Sequence, residues 1–155
     1  MVSPRYMTTA AHVVGKSRVC NVQIEGVRPR TITLTVVRVE QDHDFALLRS
    51  KENFPDHRMI NCDGIYLEDS YAIAGYPFGG PFKVSEAEPI DRYYNTQDGP
   101  KHLRAMDSNT HRGMSGGPVI QSDGRVVGYL VGEMRDGTRN DVVKEYRDVS
   151  VCDPR

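Results

Sequence analysis

Tryptophan is absent from the 155-residue chain, cysteine occurs three times, and no apolar run approaches the roughly 18 residues of a membrane-spanning helix. The cysteines, Cys20, Cys62 and Cys152, are odd in number, scattered, and free of metal-ligand spacing. That excludes a disulfide-dense scaffold and a zinc module, and it predicts free thiols in a reducing compartment. The opening MVSPRYMTTAAH has no apolar stretch of the secretory kind, so the expected location is cytoplasmic. A charge of one sign is lacking too. Lys and Arg number 20 against 21 Asp and Glu, a formal charge of -1, which gives no global attraction to nucleic acid or to a membrane. Internal repeats and low-complexity segments are missing, and helical periodicity is confined to a possible turn at AAHVVG and a weak one near DVVKEY.

What remains is strand and turn. Hydrophobic residues make up 38% of the chain, enough for a packed core. TITLTVVRVE alternates β-branched residues with others, and RVCNVQIEG, DFALLRS, SYAIAGYPFG, PFKVSEAEPI, KHLRAMDS, GPVIQ and RVVGYLVGEM are short apolar or alternating runs. Turn signals at EGVRPR, ENFPDH, CDG, FGGP, QDGP, SDG and RDG separate them. This spacing predicts an all-β sandwich or barrel. The polar, proline-bearing SKENFPDHRMINCDG reads as a connection between two halves, residues 1–60 and 61–155.

Chemistry concentrates in NTHRGMSGGPVI, residues 109–120. Gly113, Gly116 and Gly117 suit a plain reversal of the backbone, and they equally suit a nucleophile, Ser115, flanked by free amides. A serine hydroxyl needs a base, and the base needs an orienting carboxylate. Five histidines are available. His12 follows small residues at the end of a strand-like run, whereas His43, His57, His102 and His111 stand in polar, turn-like surroundings. Asp44 directly precedes the apolar FALL, an edge position that desolvates a carboxylate beside an imidazole, and Asp42 is its local rival.

His12, Asp44 and Ser115 follow the order His, Asp, Ser. TTAAH, DFALL and GMSGGPV, in that order, resemble the three catalytic motifs of the trypsin-like serine proteases. AIAGYPFGGP is similar to a strand of the Deg-type, high-temperature-requirement proteases, and THRGMSGGP to viral chymotrypsin-like proteases, whose location would be the host cytoplasm. The resemblance implies a chymotrypsin-like double β-barrel with the site in the cleft between barrels, His12 as general base, Asp44 as its orienter and Ser115 as nucleophile. It implies an oxyanion hole at the amides of Gly113 and Ser115, and a substrate pocket walled by residues 108–112 and the strand GYLVG, with Asn109, Thr110, Tyr129, Leu130 and Gly132 as binding residues. Leu130 stands where glutamine-specific viral relatives carry histidine, and Asn109 where trypsins carry an acid. Neither glutamine nor basic preference is therefore expected. The partner implied is a polypeptide substrate, with no cofactor, metal or membrane and no nucleic acid.

Only eleven residues precede His12, so the resemblance further implies a first barrel short of its earliest strands, completed by an upstream segment or a partner chain. Two other readings remain: a catalytically impaired protease fold used as a binding module, and a β-barrel that binds nucleic acid. Arg and Lys form no stripe interleaved with aromatics, which disfavours the second.

Overall fold

A computed structural model of the protein describes residues 1–24, 30–54, 56–96, 99–134 and 140–152. Strands β1 (Tyr6–Ala10), β2 (Val19–Ile24), β3 (Arg30–Glu40) and β4 (Phe45–Arg49) form an antiparallel sheet in the order β1-β4-β3-β2. A short helix, α1 (Ala11–Val14), follows β1 directly. Strands β5 (Tyr71–Gly75), β6 (Lys83–Tyr94), β7 (Leu103–Ser108), β8 (Pro118–Gln121), β9 (Val126–Met134) and β10 (Asn140–Glu145) close into a barrel, ordered β10-β7-β6-β5-β8-β9. The expected all-β double unit is present. Its second member is a complete six-stranded barrel and its first an open four-stranded sheet.

Strand patterning explains most of this. In β3, Ile32 and Leu34 face inward and Thr31, Thr33 and Thr35 outward, the period of two that TITLTVVRVE announces. DVVKEY is a correction: it is no helical turn but most of β10, paired with β7 and β9. Its polar residues hide the strand, because they are buried and satisfied. Lys144 Nζ donates to the Lys101 carbonyl at 2.8 Å, and Glu145 Oε1 accepts the Ile65 amide at 2.7 Å. The turn signals EGVRPR, QDGP and RDG lie wholly or partly outside the described residues.

Three apolar clusters position the two units. Val14, Ile32, Leu34, Ala46, Leu48 and Phe54 pack beneath the open sheet, and Ile73, Met106, Met114, Val119, Leu130 and Val143 help fill the barrel. Between them Ala10, Phe45, Val126, Tyr129, Tyr146 and Val149 join the end of β1 to β9. The ring of Tyr129 packs 5.9 Å from Phe45 and 5.6 Å from Tyr146, and Thr8 Oγ1 shares a 2.5 Å hydrogen bond with the Tyr146 hydroxyl.

The expectation of three free thiols is overturned. Cys62 and Cys152 form a disulfide across 90 residues, and only Cys20 is free. The segment around Ile60 and the chain end around Cys152 pack on the same inter-unit cluster, which brings the two sulfurs together. The cytoplasmic expectation loses the support it drew from free thiols. Among the described residues no helix is long and apolar enough to cross a membrane.

Candidate active site

Antiparallel pairing of β1 with β4 puts Ala10 opposite Phe45, so the residues just beyond each, His12 and Asp44, meet at one end of the sheet. Asp44 closes a 3-10 turn, Gln41–His43, with φ 52°, a left-handed conformation that aspartate tolerates. From there it holds His12 twice and the neighbouring Ala11 once. Its carbonyl accepts the Ala11 amide at 2.9 Å, Oδ1 accepts the His12 amide at 2.8 Å, and Oδ2 accepts His12 Nδ1 at 2.6 Å. Asp44 is buried while the His12 ring is half exposed. The Asp44 hydrogen bond, with its charge, raises the His12 pKa above the ordinary 6.5 against the opposing effect of burial. Because Nδ1 is committed to Asp44, Nε2 is the nitrogen left to face the cleft. Among the described residues the rival Asp42 pairs only with His43, at 3.7 Å.

Ser115 sits in a turn between β7 and β8 that is pinned by its neighbours. The amides of Met114, Gly116 and Gly117 donate to the carbonyls of His111, Leu130 and Met114 at 3.1, 2.7 and 3.0 Å, and Met114 is buried in the barrel core. At Gly116 the two units approach closely: a Cβ there would lie 2.2 Å from Thr9 Oγ1 and 3.0 Å from the Ala10 amide. Only glycine lets the serine turn rest against the strand that carries His12.

The amides of Gly113 and Ser115 have no acceptor among the described residues. Gly113 is oriented from outside the turn. The Phe78 amide, at a residue with φ 57°, donates to the Arg112 carbonyl at 2.5 Å. A trans peptide points its N–H opposite to its C=O, so this bond directs the Gly113 N–H away from Phe78. Ser115 Oγ donates to the Val131 carbonyl of β9 at 3.2 Å and makes no hydrogen bond to His12. His12, Asp44, Val131 and Gly132 line one open cavity of about 440 Å³, together with Thr96, Pro100, Leu103, Glu133 and Val142.

The remaining substrate-binding expectations divide. Gly132 lines the cavity, and Thr110 hydrogen-bonds Asp141. Asn109 is exposed, its amide bonded to Ser85 Oγ and its carbonyl to Lys83 Nζ. Tyr129 does not face the cleft. It is fully buried between the units, and its hydroxyl donates to the His43 carbonyl at 2.7 Å, bracing the turn that presents Asp44. Leu130 likewise points its side chain into the barrel core. Strand alternation and the β9 bulge opposite Val142 and Val143 decide this, and neither was marked in GYLVG. The residues missed were Val131 and Phe78, and the only signal was the Gly-Pro-rich loop that holds Phe78.

Among the described residues, His102, Glu145 and Asp148 bring three potential metal-ligand atoms within 4.8 Å. Lys144 lies 3.4 Å from Asp148 and Arg147 3.5 Å from Glu145, so protein cations already balance these carboxylates.

The model of the trypsin-like peptidase domain matches residues 1–128. An HtrA-like serine protease of Staphylococcus epidermidis is 28% identical over 139 residues, covering 81% of this chain and 23% of that protein. The serine protease Rv3671c of Mycobacterium tuberculosis is 28% identical over 145 residues, 88% of this chain and 36% of the relative. The chain thus spans about a quarter to a third of the curated relatives it matches. In structure, the inactive form of the Rv3671c protease superposes with a TM-score of 0.81 at 25% identity, covering 97% of this chain and 79% of that one. The MamO protease domain of Magnetospirillum magneticum gives 0.81 at 19% identity over 97% and 84%, a likeness of fold. These relatives fit the Deg-like side of the resemblance.

Proposed function

The chain belongs to the trypsin-like peptidase family, and on that premise we propose that it is a serine endopeptidase that cleaves polypeptides through an acyl-enzyme, with Ser115 as nucleophile, His12 as base and Asp44 as orienter. The observation that carries this reading is the pair of hydrogen bonds by which the Asp44 carboxylate holds His12, which leaves Nε2 free in a cleft shared with the acceptor of Ser115.

The chemistry follows from these contacts. Pairing of β8 with β9 ends at Pro118 and Tyr129, so beyond Leu130 the edge of β9 is open to an added peptide strand. A substrate amide that takes the Val131 carbonyl displaces Ser115 Oγ, which then turns to His12 Nε2. The base removes the hydroxyl proton as Oγ attacks the scissile carbonyl, and Asp44 stabilises the imidazolium. Negative charge on the carbonyl oxygen falls to the Gly113 and Ser115 amides, each worth about 3–4 kcal/mol in a site of this kind. His12 returns the proton to the leaving amine, and water repeats the sequence on the ester.

Two free edges, β1 and β2, border the open sheet, and a strand from an upstream segment or a partner chain would complete it. An internally quenched peptide assay tests the main reading. Ser115→Ala should keep the fold and lose all but about a thousandth of kcat. A variant that retains more removes Ser115 from its role. A chain that folds and binds peptide without cleaving it is the binding module instead.

A further inference from the structure

The chain has four phenylalanines, and they divide evenly between core and water. Phe45 and Phe54 are buried in apolar clusters, whereas Phe78 and Phe82 are 73% and 57% exposed. Tyr76 and Val84 beside them are exposed as well, so the loop 76–82 between β5 and β6 presents one continuous apolar surface. Its rings are already paired. Tyr76 and Phe82 lie 5.3 Å apart between centroids, and Phe78 stacks on His111 at 5.6 Å. Apolar surface gathered in this way marks a contact with another molecule, where single exposed side chains would not.

The loop is held in place by its own backbone. The amides of Gly79 and Gly80 donate to the carbonyls of Tyr76 and Pro77 at 3.1 and 2.9 Å, and Lys83 Nζ ties the start of β6 to the Asn109 carbonyl at 2.9 Å. Phe78 keeps φ 57°, a conformation that bulky side chains rarely adopt and that concentrates at functional sites. Position gives the surface a use. The loop lies against the Gly113 end of the Ser115 turn, where a Cβ would stand 2.8 Å from the Tyr76 carbonyl oxygen and 2.9 Å from the Phe78 amide. β9 lies against the other end, with the Gly116 amide on the Leu130 carbonyl and the Leu130 amide on the Gly117 carbonyl. A peptide that follows β9 until its scissile carbonyl reaches the Gly113 and Ser115 amides therefore leaves the turn on the side of the aromatic loop. None of residues 76–82 lines the cavity beside His12 and β9, which takes the residues before the bond.

We propose that this loop receives the part of the substrate that follows the scissile bond, and that Phe82 is a specificity-determining residue against which an aromatic side chain from its first two residues packs. The inference rests on the endopeptidase reading and extends it to the leaving side of the cleft. The chemistry of the surface selects the side chain. An aromatic ring takes apolar area of the Tyr76–Phe82 pair out of water and adds ring-to-ring contacts, which a small side chain cannot. A basic side chain is disfavoured, because GYPFGGPFKV (75–84) and NTHRGMSGG (109–117) contain Lys83 and Arg112 and no acid. Internal hydrogen bonds and the rings of Pro77 and Pro81 fix the loop beforehand, so little ordering opposes binding.

The test compares quenched peptides that are identical up to the scissile bond and carry Phe, Leu, Ala or Lys at the first or the second position after it. For the folded wild-type protein kcat/KM should be roughly 10-fold higher with Phe than with Ala at one of these positions, with Leu between them and Lys lowest. Phe82→Ala leaves the Phe78 amide on the Arg112 carbonyl, and in it the Phe-to-Ala ratio should collapse toward one. Equal cleavage of the Phe and Ala peptides at both positions, a preference for Lys, or a Phe preference that survives Phe82→Ala overturns the inference while leaving the endopeptidase reading intact. Equal cleavage accompanied by concentration-dependent dimers assigns the surface to a second copy and overturns it too. Failure to cleave any of the peptides overturns that reading and the inference with it. Should Phe82→Ala not fold, binding decides, because the chain lacks tryptophan. A peptide with Trp at the preferred position should shift its emission to the blue on Ser115→Ala protein, and emission that stays as in water refutes the contact.

Discussion

The Phe78 amide donates to the Arg112 carbonyl at 2.5 Å, and through that one bond a loop outside the Ser115 turn sets the direction of the Gly113 N–H. The pin is a backbone group, so its removal can be separated from loss of the ring. Phe78→Pro deletes the donor and cannot adopt φ 57°. It should lower kcat about 100-fold or more with little change in KM, the cost of misdirecting one oxyanion donor. Phe78→Gly keeps the donor and accepts positive φ, and it should stay within a few-fold of wild type. Steady-state kinetics on the two variants would show an equal loss in both if the aromatic ring, and not the amide, were responsible.

The Asp44 contacts raise the His12 pKa above 6.5, and a general base must be neutral to accept a proton. Thus kcat/KM should be low at acid pH and rise as pH passes through an apparent pKa above 6.5. Asp44→Asn removes the largest cause of the shift, so the rising limb should move to lower pH while kcat drops steeply. An unshifted limb in a pH-rate profile of Asp44→Asn would mean that another group titrates.

Cys62 and Cys152 close a loop of 90 residues onto the core between the two units. Mild reduction should destabilise the protein by about 2–4 kcal/mol, read as a fall in urea midpoint at unchanged pH. Thiol titration of the unfolded, unreduced chain should find Cys20 alone. Three reactive thiols before reduction would contradict the pairing.

Protection from amide exchange should differ between the two units, because the barrel has no edge and the sheet has two. Amides of the edge strands β1 and β2 are expected to exchange well before those of β7, β9 and β10. An added segment that completes the sheet should both slow this exchange and raise kcat/KM, since looseness in the sheet moves His12 relative to Ser115. Uniform protection across both units would show that four strands suffice.

Local patterns were legible and long-range ones were not. His12, Asp44 and Ser115 stand in short motifs whose neighbours serve the same turn, and the glycines around Ser115 mark a close backbone approach that Gly116 makes against Thr9. Alternation exposed β3 and most of the barrel strands. DVVKEY misled because Lys144 and Glu145 are buried by partners far along the chain, Lys101 and Ile65. The same distance hid the Cys62–Cys152 bridge. Tyr129 and Leu130 were placed in the substrate pocket because the faces of β9 depend on its register with β10, which shifts at a bulge between Val142 and Val143.

The most direct measurement is the site of covalent labelling by a fluorophosphonate, read by peptide mass spectrometry. Labelling requires an activated hydroxyl beside a working base, so it tests fold, nucleophile and base together. The wild-type protein should carry one phosphonyl group, on Ser115, and His12→Ala should label at least 100-fold more slowly while remaining folded. A folded wild type that takes no label, or label on Ser115 that forms equally fast without His12, would contradict the proposed catalytic chemistry.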